Sequence, residues 1–387
     1  MNSAVLDLEP WQPFGLSAAA YTSNRYLEQE RQTLFSRYWV FVGLVSDVPN
    51  PGDVHPTEVA GMPIVLVRDS RKSSASANDT YPLRAFHNIC RHRGLQLVNK
   101  PCNVQGHLQC PYHSWSYKLD GTLKGTPHFG GYYKDSYANF DRASKGLKPI
   151  RCEQWLDLVF VNLSGDAPPL EEYLQPVIDR WSGYALNLLR REPREVSLQC
   201  QANWKLAVEN FSESYHLSWV HPDLNSCSRM EDHFGFDLGD THVGQGSLLY
   251  KCGVIEGRSL PTFPNLETTG KQTIAEYITV FPNLMLGVHP DYFLVFTVDP
   301  ISPDQSAERL VFYFIGDEAM TAENRVLRDL AIDLWKVTND EDIEMIERLQ
   351  IGRKSPSFDG GCFSPALEQT VYRFQQKVAQ AVGEVEE

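Results

Sequence analysis

The sequence lacks several features that would place it in other classes of protein. No apolar run approaches the ~20 residues of a membrane span, and no signal peptide opens the chain, so we expect a soluble cytoplasmic protein that binds no membrane. The formal net charge of -14 argues against nucleic acid as a partner. Without a G-x-G-x-x-G fingerprint, no flavin or nicotinamide domain is predicted. Electrons for any redox centre must therefore come from another protein.

A paired cysteine framework is also missing. Six of the 8 cysteines are scattered along the chain, which suits a reducing cytoplasm; they are Cys102, Cys152, Cys200, Cys227, Cys252 and Cys362. The remaining two belong to a motif. Cys90-Arg-His92 is followed, 17 residues later, by Cys110-Pro-Tyr-His113. Each half of the motif supplies one thiolate and one imidazole.

This motif suits a Rieske [2Fe–2S] cluster, in which two Cys hold one iron and two His hold the other. Gly94 and Pro111 favour the tight loops that such a cluster needs. Tetrahedral zinc is the alternative for a Cys₂His₂ set. Zinc fingers, however, usually pair Cys with Cys and His with His locally, whereas both halves are mixed here.

The residues around the motif predict an all-β domain. Short β-type runs separated by Pro, Gly and Asp turns fill the segment from Trp39 to about residue 164: WVFVGLV, MPIVLVRD, YPLRAFHN and LDLVFVNL. A helix is predicted before them, over 22–38, with Ser23 or Asn24 as its cap. After them, the runs TIAEYITVF, YFLVFTVDP and RLVFYFIGD predict an antiparallel sheet, and helical patterns appear at about 204–220, 321–350 and 364–381.

A second metal site is predicted in the segment Glu213-x-x-His216-x-x-x-x-His221-Pro222. Two close His residues with a nearby carboxylate resemble part of a 2-His-1-carboxylate site for non-haem Fe(II). On a continuous helix the two His would point about 140° apart. Pro222 disfavours the helical conformation at His221, so the helix is expected to end or unwind there and bring the two rings together.

The third ligand is sought in the segment NDEDIEMIERLQ. Helical phase places Asp342 on the apolar stripe with Met345, Ile346 and Leu349, whereas Asp340 falls with Glu344 and Glu347. An acid on an inward-facing stripe either coordinates something or is penalised for its burial. We therefore predict Asp342 as the third ligand, with a helix-capping role as the alternative and Asp340 and Glu341 as the next carboxylates.

Together these motifs resemble the catalytic α subunit of a Rieske non-haem iron oxygenase. The resemblance implies an α+β protein: an N-terminal helical segment at 1–38 that packs on the catalytic domain, a Rieske domain at 39–165 and a helix-grip catalytic domain at 166–387. It implies cluster ligands Cys90, His92, Cys110 and His113, with Trp115 beside the cluster or simply in the core. The implied ligands of the mononuclear iron are His216, His221 and Asp342.

The residues before His216 point to one branch of that family. Ring-hydroxylating dioxygenases carry Asp three residues before the first His, whereas this chain carries Glu213 after a run that is one residue shorter. This version resembles the choline, carnitine and glycine-betaine monooxygenases. We therefore expect hydroxylation or oxidative demethylation of a quaternary ammonium or N-methylated compound. The alternative is an aromatic ring-hydroxylating or aryl-ether demethylating oxygenase.

The resemblance also implies partners. Family members take electrons from an NAD(P)H-dependent flavin or iron–sulfur reductase, or from a ferredoxin, and use O₂. They are typically homotrimers in which a carboxylate bridges the cluster of one subunit and the iron of its neighbour; Glu213 would link His216 to His113 of the adjacent chain.

Two other classes of protein stay open, a Rieske electron carrier and a zinc-binding module. The roughly 220 residues after the cluster domain argue against the carrier. Aromatics placed to bind an ammonium group are Tyr215, Trp219, Tyr292 and Phe293, each of which could equally belong to the core.

Overall fold

The computed structural model describes residues 15–72, 81–239, 241–251 and 253–383. The chain divides into two compact units, one of residues 35–170 and the other of the residues up to 34 and from 171 onwards. Residues 1–14 of the predicted N-terminal segment, and Cys252, lie outside the described residues. The expected α+β class is confirmed, because antiparallel sheets occur with helices in the described part of the chain.

The unit of residues 35–170 consists mainly of short antiparallel strands. Strands β1 to β10 are, in chain order, Val40–Leu44, Asp53–Val59, Met62–Arg68, Leu83–His87, Cys102–Asn103, His107–Gln109, Ser116–Lys118, Leu123–Gly125, Pro149–Trp155 and Leu158–Asn162. Seven form one sheet in the order β1-β10-β9-β4-β3-β2-β5, and β6, β7 and β8 form a second. Short 3₁₀ turns lie at Val45–Asp47 and Ala143–Lys145. All four runs predicted as strands form strands, because their alternating or continuous apolar residues fit a pleated sheet.

The core of this unit includes the cysteines of the motif. Its buried side chains include Val54, Val65, Val67, Phe86, Leu108 and Trp115, together with Cys90 and Cys110. The two loops that carry the cysteines are thus held by the apolar face of the sheet rather than by solvent-exposed turns. Burial of this kind stabilises roughly in proportion to the apolar area removed from water.

The second unit is organised around an antiparallel sheet. Strands β11 to β18 are Leu189–Arg191, Val196–Cys200, His233–Asp237, His242–Ser247, Ala275–Val280, Leu284–Val288, Tyr292–Ser302 and Gln305–Ile315. Seven of them follow the order β11-β18-β17-β16-β15-β14-β13, and β12 also pairs with β18. The predicted runs TIAEYITVF, YFLVFTVDP and RLVFYFIGD correspond to β15, β17 and β18.

Helices of the second unit are named in chain order. Helices α1 to α10 are Ala18–Thr22, Asn24–Glu30, Leu170–Arg180, Trp204–Phe211, Leu217–Val220, Pro222–Cys227, Leu266–Thr269, Gly316–Ala319, Arg325–Arg353 and Gln369–Val382, the third of which begins at the boundary between the units. A π-helical turn, Arg31–Phe35, follows α2, and 3₁₀ turns lie at Leu186–Leu188 and Met230–Asp232. Ser23 caps α2, because its hydroxyl accepts the N–H groups of Arg25 and Tyr26. Among the described residues, no helix is long and apolar enough to cross a membrane.

Buried polar contacts fix helix α4, which leads into the second histidine motif. The Lys205 Nζ lies 2.6 Å from Glu30 Oε1, and both side chains are fully buried. The indole Nε1–H of Trp204 donates to Glu30 as well, at 3.1 Å. Tyr21 donates its hydroxyl to Glu209 at 2.7 Å. A buried ion pair costs several kcal/mol to break from one side, so these contacts hold α4 rigidly against α1 and α2.

Candidate metal centres and active site

The two cysteine–histidine loops, Cys90–Leu95 and Cys110–Trp115, have the same backbone hydrogen bonds. In each loop the fifth residue donates its N–H to the cysteine carbonyl (2.9 and 3.0 Å), and the cysteine N–H donates to the carbonyl of the sixth (2.7 and 2.8 Å). The fifth residues, Gly94 and Ser114, both have left-handed φ angles, 77° and 58°. Glycine adopts this conformation freely, whereas serine is strained in it. The two loops therefore share one backbone turn around the cysteine, although the histidine is the third residue of the first loop and the fourth of the second.

In the Cys–His motif the cysteines are buried and the histidines lie closer to the surface. Cys90 and Cys110 are each 2% exposed, whereas His92 is half-buried and His113 is exposed. The two imidazole rings lie 4.7 Å apart between centroids. Burial, followed by the charge of His113, lowers the pKa of His92, which favours the neutral form that binds a metal. Two buried thiols below two outward imidazoles match the donor set of a Rieske cluster.

Two aromatic side chains hold these loops. Trp115 stacks on His92, with centroids 4.9 Å apart and planes 10° from parallel. The Tyr117 hydroxyl accepts the N–H of Arg91 at 2.9 Å and lies 3.3 Å from Cys90 Sγ. Burial and the contact with Cys90 raise the pKa of Tyr117, so its hydroxyl keeps the proton and can donate it to the sulfur. Sequence analysis missed Tyr117, since only its spacing from Cys110 could have indicated it.

Two breaks in the helical path bring His216 and His221 together. The prediction of a helix over 204–220 is wrong in extent, because α4 ends at Phe211 and α5 spans only Leu217–Val220. His216 precedes α5, and His221, with φ −122° and ψ 68°, follows it. Pro222 starts α6 instead of continuing α5, as the restriction on the residue before proline requires. The two rings end up 5.1 Å apart between centroids, at 79°.

Asp342 completes a group that can hold a metal ion. His221 Nε2 lies 2.8 Å from Asp342 Oδ1, and His216 Nε2 lies 3.5 Å from the same oxygen. One ligand atom of each residue lies within 4.8 Å of the other two. Ligands at ~2.1 Å from one ion and at right angles lie about 3 Å apart, so this spacing fits a single ion. Two imidazoles and one carboxylate are the donor set of non-haem Fe(II) sites with open positions.

A carboxylate stands behind each of the two histidines. Glu213 Oε1 lies 2.5 Å from His216 Nδ1, and Glu341 Oε2 lies 2.7 Å from His221 Nδ1. These contacts place the proton on Nδ1 and leave Nε2 free for a metal. Burial lowers the pKa of His221, but Asp342 and Glu341 outweigh it and raise the pKa overall. Sequence analysis named Glu341 only as a substitute ligand and missed its role in orienting His221.

Asp340 and Asp342 lie on different faces of α9, as the helical phase predicted, but one apolar residue of the predicted inward face is exposed. Asp340 points away and lies 2.5 Å from Lys336 Nζ. Asp342 points to the histidines, and Ile346, one turn later, is buried. Leu349 was expected on the same inward stripe, but it is 45% exposed. At about 100° per residue, the buried Ile346 and Gln350 lie roughly 40° and 80° round the helix from Asp342, whereas Leu349 lies roughly 20° to the other side, so the buried stripe excludes Leu349.

A cavity that is partly open to solvent lies beside the three residues of this group. Five aromatic side chains form one wall of it, Phe211, Tyr250, Tyr277, Tyr292 and Trp335, and the rest of its apolar lining is Leu217, Leu224 and Leu334. The indole Nε1–H of Trp335 donates to the Tyr292 hydroxyl at 2.8 Å, and the hydroxyls of Tyr250 and Tyr292 lie 3.1 Å apart. The wall therefore presents ring faces and edges that are held in place by their own hydrogen bonds.

The structure distributes the four aromatics singled out in the sequence differently. Tyr292 lines the cavity. Phe293 is buried and packs against Trp181, with centroids 5.8 Å apart. Tyr215 and Trp219, 43% and 71% exposed, line an outer groove. Tyr250, Tyr277 and Trp335 were missed, because β14–β15 and α9 bring them to the cavity from distant parts of the sequence.

A β unit with paired Cys–His loops and a second unit with a 2-His-1-carboxylate group define a Rieske-type oxygenase, an oxidoreductase. The chain belongs to the family of ring hydroxylating alpha subunits, whose catalytic-domain model matches residues 187–384. The Rieske [2Fe-2S] domain model matches residues 38–138. These two domains imply a Rieske cluster and a mononuclear iron, as expected from the sequence.

Several characterised proteins are similar to this chain over most of its length. The glycine betaine monooxygenase oxygenase subunit of Chromohalobacter salexigens is 27% identical, with 94% of this chain and 83% of the relative covered. The carnitine monooxygenase oxygenase subunit of Escherichia coli K12 is also 27% identical, with 91% and 87% covered. As oxygenase subunits, these relatives work with a separate reductase.

Solved structures share the fold. A quaternary ammonium Rieske monooxygenase structure superposes with a TM-score of 0.76 at 23% identity, covering 96% of both chains. Naphthalene 1,2-dioxygenase superposes with a TM-score of 0.73 at 19% identity, covering 96% of this chain and 92% of the other. The architecture is thus common to members of the fold that act on very different substrates.

Proposed function

We propose that this chain is the terminal oxygenase component that hydroxylates or oxidatively demethylates a small quaternary ammonium or N-methylated compound. The observation that carries the proposal is the aromatic wall of the cavity next to His216, His221 and Asp342. A quaternary ammonium group has no N–H to donate, so ring faces are its best partners, at about 0.5–2 kcal/mol per contact. The glycine betaine and carnitine monooxygenase relatives support the same substrate class.

The proposed ligands are those expected from the sequence. Cys90, His92, Cys110 and His113 would hold the cluster, and His216, His221 and Asp342 would hold the mononuclear iron. When bound, these groups supply stored electrons and a metal with open positions for O₂. The chain itself sets the histidine tautomers through Glu213 and Glu341, and it keeps the cavity wall largely apolar.

The proposed domain assignment follows the sequence: 1–38 packs on the catalytic domain, 39–165 carries the cluster and 166–387 carries the iron. Contacts in the described residues support the first of these, since the Leu16 N–H donates to Gln375 Oε1 at 2.7 Å. The compact units differ slightly, with boundaries at 34/35 and 170/171.

A homotrimer with Glu213 as the link between subunits is part of the proposal. Glu213 and His216 line both the cavity and the outer groove, so this carboxylate is accessible from outside as well. The surface around the exposed His113 also has an exposed aromatic side chain, because the neighbouring Tyr112 is 57% exposed. An exposed aromatic surface near each centre is what a subunit contact between them needs. Electrons would come from an NAD(P)H-dependent reductase or a ferredoxin.

The test is substrate-dependent O₂ consumption by the purified holoprotein with a generic reductase and NADH. Choline, glycine betaine and carnitine are expected to stimulate O₂ uptake coupled to an oxidised or demethylated product. Benzoate and salicylate serve as the aromatic comparison. Coupled product from the aromatic compounds alone would contradict the proposed substrate class and favour the aromatic alternative.

A further inference from the structure

His289 is a buried polar residue that no part of the proposed function uses. It lies between β16 and β17 and lines the cavity, and its side chain is 0% exposed. Neither ring nitrogen has a hydrogen-bond partner among the described residues. Leaving a buried donor or acceptor unpaired is costly, and such groups are rare in folded proteins. An imidazole that leaves both unpaired beside a cavity therefore points to a ligand.

The ring of His289 is held firmly in place by the aromatic wall. It stacks on Tyr292, with centroids 4.0 Å apart and planes 14° from parallel. Tyr250, Tyr277 and Trp335 contact it edge-on, with centroids 4.5, 5.3 and 6.0 Å away. Burial lowers the pKa of His289 to about 3, so the ring is neutral at physiological pH and offers one donor and one acceptor.

A second donor stands next to it. The Tyr292 hydroxyl accepts the Trp335 N–H, and one hydrogen bond joins the hydroxyls of Tyr250 and Tyr292. Two hydroxyls contain two protons, and this bond uses only one of them. One tyrosine proton is therefore left to donate. With His289 it forms a small polar patch, the His289 subsite, next to the aromatic wall.

The charges around the cavity indicate what kind of polar group this subsite accepts. None of the described residues that line the cavity is Lys or Arg; its two acids are Glu213, which bonds to His216, and Asp342, a proposed ligand of the iron. The segments outside the described residues contain neither Lys nor Arg in the sequence. A buried carboxylate normally needs a cationic partner, whereas a hydroxyl needs only hydrogen bonds.

We infer that the His289 subsite hydrogen-bonds an uncharged polar arm, such as a hydroxyl, on the quaternary ammonium substrate. The cavity would thus prefer an amino-alcohol cation to a zwitterion that ends in a carboxylate. This inference rests on the proposed function, since it assumes that the aromatic wall binds the ammonium group. His289 would then determine specificity for the polar arm of the substrate, and the aromatic wall would bind its methylated ammonium head.

Four probes with the same tetrahedral methylated head are compared by calorimetry for binding to the holoprotein. They show separately how much the head and the polar arm contribute to affinity. Choline has the cationic head and a hydroxyl, glycine betaine has the head and a carboxylate, and tetramethylammonium has the head alone. The fourth, 3,3-dimethyl-1-butanol, has the hydroxyl on an uncharged head. Choline is expected to bind about 3- to 10-fold more tightly than tetramethylammonium, since one buried hydrogen bond is gained, and more tightly than glycine betaine.

The decisive variant is His289→Phe, which keeps a ring to stack on Tyr292 but removes both nitrogens. It should bind choline about 3- to 10-fold less tightly and tetramethylammonium unchanged. His242→Gln is the matched control, because this buried histidine also has an unpaired nitrogen, Nδ1, but lies outside the cavity lining.

The outcomes distinguish this inference from the proposed function. If wild-type protein binds glycine betaine as tightly as choline, or His289→Phe leaves the choline affinity unchanged, the inference is overturned while the ammonium site stands. If 3,3-dimethyl-1-butanol binds in a His289-dependent way and tetramethylammonium does not bind, the polar subsite stands and the proposed substrate class fails.

Discussion

Glu213 Oε1 lies 2.5 Å from Nδ1 of His216. The second oxygen of the same carboxylate accepts the backbone N–H of Tyr215 and, at 3.4 Å, that of His216. The carboxylate is therefore fixed by the turn it belongs to, and it faces both the cavity and the outer groove. This geometry supports the proposed link between His216 and a group on another subunit.

The first prediction concerns that link. Glu213→Gln should keep the proposed trimer and all of the iron but slow the oxidation of the reduced cluster by about 10- to 100-fold in a single turnover, because the amide cannot bind two imidazole N–H groups as a carboxylate does. Glu368→Gln is the matched control, since Glu368 lines the same groove and does not bond to His216. Oxidation at the wild-type rate would rule out the bridging role, and loss of iron or trimer would show a structural one.

The second prediction concerns the carboxylate behind His221. Glu341→Ala removes the acceptor 2.7 Å from His221 Nδ1, so the ring loses its fixed tautomer. We expect the affinity for Fe(II) to fall about 10- to 100-fold, with an unchanged Rieske spectrum. Asp340→Ala removes the neighbouring acid, which pairs with Lys336 instead, and should leave the affinity unchanged. Equal effects of the two substitutions would mean that only general negative charge matters.

The third prediction concerns the cluster loops. Tyr117→Phe removes the hydroxyl 3.3 Å from Cys90 Sγ. A hydrogen bond to a ligand sulfur stabilises the more negative reduced cluster, so its loss should lower the reduction potential. A redox titration followed by EPR measures this shift. Tyr112→Phe, at an exposed position in the same loop region, is the control and should leave the potential unchanged. An unshifted potential in Tyr117→Phe would show that this hydroxyl does not act on the cluster.

The fourth prediction concerns pH. Burial lowers the pKa of His242 to about 4, well below its usual 6.5, so the unfolded chain binds a proton there before the folded chain does. Its contribution to stability is therefore present above about pH 6.5 and is lost as pH falls towards 4. His242→Gln keeps a donor for the Tyr173 carbonyl, 2.8 Å away, and should flatten the pH dependence of the free energy of unfolding between pH 4 and 6.5 by up to about 1.4 kcal/mol per pH unit. Parallel curves for the two proteins in denaturant titrations would contradict this.

Much of the fold was predictable because periodicity reports which face of an element is buried. The strand runs follow from local alternation, and the ligand candidates follow from spacing alone. Helical spacing predicted one helix over 22–38, whereas the structure has α2 at Asn24–Glu30 followed by the π-helical turn Arg31–Phe35. The position of Asp342 follows from helical phase on α9, which has no break between Lys336 and Ile346.

What was missed depends on contacts between distant segments. The end of α4 at Phe211 could not be seen, because Ser212 to Tyr215 have no helix-breaking residue; the turn is held instead by Glu213 and by the Gln245 side chain, which donates to the carbonyls of Phe211 and Glu213. The same holds for His289 and Trp335, which are about 46 residues apart in sequence but share one wall. The sequence alone cannot distinguish aromatic residues that line the cavity from those that are packed in the core.

The most direct test of the account is the iron content of the Asp342→Ala variant, measured with sulfide analysis and EPR. The wild-type chain should contain about three irons, two in the cluster and one at His216, His221 and Asp342. Asp342→Ala, like His216→Ala and His221→Ala, should contain about two, with an intact Rieske signal and no turnover. Full iron content and full activity in Asp342→Ala would contradict the assignment of this carboxylate and with it the proposed metal centre.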